Sequence, residues 1–162
     1  SNNYFVLINS RTKTLIETIY SRSLEIKIFL SNETRIKIIE SLIKENNLEV
    51  FIDFNSSNLT PGNFLSFNKI FEENKINTGE KFLKNLEILL NLYKKTKNID
   101  LINIILFLTD YYFYSLQEKK IDNIERVIEN KSFVINNINK FISYNLNQNS
   151  LINAINNKLS NG

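Results

Sequence analysis

The sequence contains no cysteine, histidine, methionine or tryptophan, and only three glycines and one proline. Without Cys no disulfide can form. Without Cys and His together, the common zinc sites and any imidazole relay are excluded. So little Gly and Pro leaves few interruptions for long helices. No Gly-rich cradle of the G-x-x-x-x-G-K-S/T kind occurs, so the chain does not hold a nucleotide by that device. The most apolar stretch, residues 99–114, is broken by Asp100, Asn103, Thr109 and Asp110 and is too short to cross a bilayer. No secretory signal is visible at the start. With Met missing even there, a chain beginning Ser1-Asn2 reads as an expressed fragment or a trimmed product. The net charge of +3 comes without a lysine cluster dense enough to track phosphates, so the charged residues read as solvated surface.

What is present is the composition of a folded, helical protein. Of the 162 residues, 43% are apolar and 12% aromatic, enough to build a core. Asn is abundant and interleaved with apolar residues at helical spacing, which reads as a solvated helix face.

The first thirty residues differ from the rest. Tyr4-Phe5-Val6-Leu7-Ile8 is a continuous apolar run, as expected of a strand buried on both faces. Leu24, Ile26 and Ile28 alternate with Glu25 and Lys27, which predicts a second strand over 24–30. Leu15, Ile16 and Ile19 between them suit a short helical turn. Two strands do not make a stable sheet, so the rest of that sheet is expected to lie outside this sequence.

From residue 31 the period becomes helical. Ser31 is expected to cap a helix reaching about Asn46, with Ile36, Ile39, Leu42 and Ile43 inward. A second short helix is expected around Leu48, Phe51 and Ile52, broken at Asn55-Ser56-Ser57-Asn58. Thr60 then caps a third, with Pro61 at the position where a missing N–H costs nothing. Further helices are expected from Thr78 to about Lys97, over 99–118, over 122–144, and around Leu151, Ile152, Ile155 and Leu159. The apolar circumference of 99–118 marks it as the centre of a bundle.

Chemistry-bearing patterns are few. Glu72 with Glu73, and Asp100 with Asp110, read as solvated helix faces rather than acid–base pairs. Thr18-Ile19-Tyr20-Ser21-Arg22-Ser23 lies between the two expected strands. There an arginine on a turn can project from a sheet edge toward a phosphate held by another subunit. Taken alone, Ser21-Arg22-Ser23 is a tripeptide that arises often by chance, and it reads as a surface arginine pairing with Glu17 or Glu25.

Together these segments resemble the clamp-loader branch of AAA+ proteins. Strand, Thr-Ile-x-Ser-Arg-Cys/Ser, strand and three-helix lid follow in that branch's order. Thr60-Pro61-Gly62-Asn63-Phe64-Leu65 is similar to its Ser-Pro-Gly-Arg-x-Leu segment. Residues 141–151, around Asn145-Leu146-Asn147, resemble the turn near the end of the collar in bacterial DNA polymerase III δ′ subunits.

The resemblance implies a mainly α chain in three parts: a two-strand remnant of an α/β AAA+ domain (1–30), a three-helix lid (31–75) and a four- to five-helix collar (76–162). It implies that Arg22 is an arginine finger acting in trans, with Ser21 and Ser23 shaping its turn, and that Val6-Leu7-Ile8 with Asn9 and Ser10 occupy the sensor-1 strand. The implied protein is a cytoplasmic, non-catalytic stator of a polymerase holoenzyme, with no complete active site, cofactor or metal of its own. Its partners would be the motor (γ/τ) and δ subunits through the collar, and indirectly the sliding clamp and primer-template DNA. Ser23 stands where the family usually has Cys. Asn63 stands at the sensor-2 arginine, which suits a stator better than a motor. Exposed apolar surface is expected on helices 79–97 or 122–144, where ring neighbours would pack.

The competing reading is a stand-alone helical protein-interaction domain without enzymatic role. Direct DNA binding by the helices ranks last, for want of a basic face.

Overall fold

The computed structural model describes residues 5–8, 16–26, 29–79, 81–118 and 123–160. The chain divides into two units, Ser1–Ser31 and Asn32–Gly162.

In the first unit the described residues contain one short helix, α1 (Glu17–Tyr20), and no strand. Residues 5–8, 24–26 and 29–30 belong to no ladder, so the α/β remnant expected over 1–30 is corrected: its described residues are irregular chain and a single helical turn, while Tyr4, Lys27 and Ile28 of the expected strands lie outside the described residues. The physical reason is pairing. An apolar or alternating run is only permitted to be a strand, and becomes one when a neighbour supplies N–H and C=O groups to close the ladder.

Among its described residues the second unit has helices and connecting segments and no strand. It comprises α2 (Asn32–Asn46), α3 (Pro61–Glu73), α4 (Phe82–Thr96), α5 (Asp100–Glu118), α6 (Ile124–Tyr144) and α7 (Gln148–Ser160). Helices α2 and α3 pack on each other. Helix α4 packs on α5, α5 on α6 and α6 on α7, and α7 returns to α4, closing a four-helix bundle. One apolar cluster runs through all six helices. It includes Ile39 of α2, Phe64 and Phe71 of α3, Leu86 and Leu90 of α4, Ile104 and Phe113 of α5, Ile138 of α6 and Ile155 of α7. A fully buried aliphatic or Phe side chain of this kind contributes about 1.5–3 kcal/mol. Rings knit the elements: Phe82 stacks on Tyr112 with centroids 4.3 Å apart, and Phe67 meets Phe107 at 5.6 Å.

With so little glycine, the helices end by other means. Asn47, Lys75, Lys97 and Asn145 all take left-handed φ near +50° at or just past helix C-termini. After α2, Leu48 N–H donates to the Ile43 carbonyl at 3.0 Å. After α3, Ile76 N–H donates to Phe71 at 2.8 Å, and Phe71 and Ile76 are both fully buried. This is the Schellman closure, built on Asn and Lys where Gly is commoner. Helix starts use local side chains: Thr60 Oγ1 accepts from Asn63 N–H at 3.2 Å with Pro61 in the first turn, and Asn123 Oδ1 accepts from Glu125 N–H at 3.1 Å.

Two helical expectations are corrected. Helix α4 begins at Phe82 with no side-chain cap, and Thr78 instead donates to the Phe51 carbonyl at 3.4 Å. Residues 48–52 form no helix, so the expected three-helix lid holds two helices, α2 and α3. The side chain of Asn68 explains this segment. It takes the Phe51 N–H at 2.9 Å and gives its own Nδ2 proton to the Glu49 carbonyl at 2.7 Å. A helix would need those backbone groups for itself.

Candidate functional site

Arg22 follows α1 on an exposed turn, its N–H donating to the Ile19 carbonyl at 3.2 Å. The serine on each side is spent on that turn. Ser21 Oγ donates to the Thr18 carbonyl at 3.3 Å, and Ser23 Oγ adds a second donor to the Ile19 carbonyl at 2.8 Å. Glu25, expected as a partner of Arg22, accepts from the Tyr20 hydroxyl at 2.9 Å. Local hydrogen bonding therefore builds the turn, with no strand on either side among the described residues. Of the residues assigned to a sensor-1 strand, Val6, Leu7 and Ile8 are not in a strand, and Asn9 and Ser10 lie outside the described residues.

The first unit's main chemical feature is apolar exposure. Phe5 and Val6 are each 88% exposed, Ile8 97%, Leu24 88% and Phe29 85%. In the second unit exposed apolar side chains are more scattered. Ile124, Ile128 and Tyr144 stand out on α6, whereas α4 has no large apolar side chain exposed.

The paired carboxylates dissolve into ordinary surface roles. Asp110 bridges to Lys131 at 2.8 Å, tying α5 to α6, and Glu73 faces Lys69 at 4.0 Å. Among the described residues no three His, Cys, Asp or Glu side chains cluster as metal ligands would, and no helix is long and apolar enough to cross a membrane.

The turn at Asn145-Leu146-Asn147 has a complete local explanation. Asn145 adopts left-handed φ and closes α6. Asn147 Oδ1 then accepts the N–H groups of Asn149 and Ser150 at 2.9 and 3.2 Å, opening α7. A groove of about 370 Å³ beside it is lined by Asn137, Leu146, Asn147, Ser150, Leu151 and Ala154.

Sequence reasoning missed the buried polar residues. Asn68, Asn85 and Asn130 were read with the solvated Asn-rich face, but they are buried, Asn68 and Asn85 to 1% exposure. Arg35 is buried too. It donates to Asn32 Oδ1 through Nε and Nη2 and to the carbonyls of Phe54 and Leu59 through Nη1 at 3.1 and 3.2 Å. The available signal was register. Asn68 falls on the stripe of Phe64, Phe67 and Phe71, and Asn85 on that of Phe82, Leu86 and Leu89.

Comparison of the chain with protein-family models, with curated proteins and with solved structures finds no match. Among the described residues the fold is all-helical, and the N-terminal unit presents exposed apolar side chains and no strand.

Proposed function

We propose that this chain is a helical protein-interaction module whose N-terminal unit is covered by a partner protein. The observation that supports this is the exposure of Phe5, Val6, Ile8, Leu24 and Phe29, each 85% or more, while the second unit has a core of its own. Exposed apolar side chains concentrated in one short unit mark an interaction surface. Residues 5–8 and 24–26 lie outside helices and carry strand-type patterns, so the partner is best imagined offering a sheet edge to which this chain adds a strand. Capture with the full chain tests it, comparing wild type with Val6→Asp/Ile8→Asp. A partner held by the wild type and released by the variant, at unchanged helical circular dichroism, supports the reading. Equal capture by both sinks it.

The clamp-loader stator ranks second. In its favour stand the Thr60-capped, Pro61-led helix, and Ile124, Ile128 and Tyr144 exposed on α6, where a collar neighbour would pack. It ranks lower because no strand flanks Arg22 among the described residues. In a reconstituted loader this reading expects Arg22→Ala to reduce clamp- and DNA-stimulated ATPase with the ring intact. Undiminished ATPase removes Arg22 from that role. Both readings assume a cytoplasmic protein.

A further inference from the structure

Asn85, on the first turn of α4, is 1% exposed, and its amide has one workable orientation. Nδ2 donates to the Asn77 carbonyl at 2.7 Å; turning the amide over would set two acceptors against each other. In that fixed orientation Oδ1 is buried with no hydrogen-bond partner among the described residues. Asn85 also lines a cavity of about 30 Å³, whose wall includes Thr78, Phe82, Leu108, Tyr111 and Ser115.

We infer that this cavity is a binding site for a single water molecule, held by donation to Asn85 Oδ1. The space admits one water, which needs two or more polar partners. Two further acceptors are at hand in the cavity wall. Thr78 Oγ1 gives its proton to the Phe51 carbonyl at 3.4 Å and Ser115 Oγ to the Tyr112 carbonyl at 2.7 Å, which leaves lone pairs on both oxygens. The occupant must be a donor, because an apolar group would leave Oδ1 unpaired. It must be neutral, because no residue lining the cavity carries a formal charge to balance an ammonium or a metal ion. A water has two protons: one goes to Asn85 Oδ1 and the other to Thr78 Oγ1 or Ser115 Oγ, which ties the approach to α4 at Asn77 either to the irregular segment at Phe51 or to α5.

A crystal structure of the full chain at a resolution that shows ordered water tests this directly. Density for one water within about 3.2 Å of Asn85 Oδ1 is expected. In solution, a long-lived water should give a cross-peak to the Asn85 side-chain amide protons. A dry cavity, or a protein donor on Oδ1, overturns the inference. In Asn85→Leu the cavity water should be lost while the helical signal is retained; water still held there would show that Asn85 does not bind it. Should Asn85→Leu fail to fold, the wild-type density and cross-peak still decide the matter.

Discussion

Asn68 Oδ1 accepts the backbone N–H of Phe51 at 2.9 Å, and through that bond α3 dictates the path of a segment seventeen positions earlier. The same amide donates to the Glu49 carbonyl, so both hydrogen-bonding sides of one side chain are spent on backbone. In a buried site this arrangement resembles one rung of a sheet, supplied by a helix.

Asn68→Ala removes a donor and an acceptor together and leaves the Phe51 N–H and Glu49 carbonyl unmatched. Both bonds are part-buried, so the expected loss is about 1–3 kcal/mol, at roughly 0.5–1.5 kcal/mol for each hydrogen bond removed. Urea unfolding followed by circular dichroism checks it; a loss below about 0.5 kcal/mol would mean water replaces the amide easily.

Lys75 carries a Cβ in left-handed conformation with φ of 53° where α3 closes. Glycine avoids that penalty of about 1–2 kcal/mol and gives back part of it as unfolded-chain entropy. Lys75→Gly should therefore stabilise the protein by about 0.5–1 kcal/mol, read as a rise in Tm. Lys97 is the poorer place for the same change, since its ammonium also lies 5.3 Å from the centre of the Tyr93 ring.

Ser57 is 4% exposed and its hydroxyl has no hydrogen-bond partner among the described residues. Ser57→Ala deletes an unpaired buried polar group, so stability should rise by about 1 kcal/mol. A clear loss in denaturant titration would reveal a partner for the hydroxyl.

Asp53 organises the turn before α3. Its carboxylate accepts from the Ser56 hydroxyl and from the N–H groups of Asn55 and Ser56, the N–H contacts at 3.0 and 3.4 Å. These bonds, led by the Ser56 hydroxyl and opposed by partial desolvation, hold its pKa below the ordinary carboxylate value. A group whose pKa is depressed on folding stabilises the protein above its unfolded pKa. That contribution drains away as the pH falls through the folded value. Wild type should therefore lose stability relative to Asp53→Asn below about pH 4. Parallel pH profiles for the two proteins would remove this role from Asp53.

The bundle was legible wherever a helix is decided by its own sequence. The stripe Phe82, Leu86, Leu89 and Leu90 gives α4 its inner face, and Thr60-Pro61 opens α3 with a side-chain oxygen and a ring already suited to it. Asn145 and Asn147 stop one helix and start the next within three residues. The candidate site was less legible, because it rested on strands. Leu24 and Ile26 announce a face in need of cover without saying what covers it.

The sequence by itself determined six amphipathic helices and most of their ends, because helical hydrogen bonds and caps close within a few residues of where they begin. Tertiary structure alone decided the rest. It left residues 5–8 and 24–26 without a ladder, since a strand's hydrogen bonds belong half to its neighbour. It drew Asn68, Asn85 and Arg35 inside, since a polar group is tolerated there only when distant backbone comes to meet it.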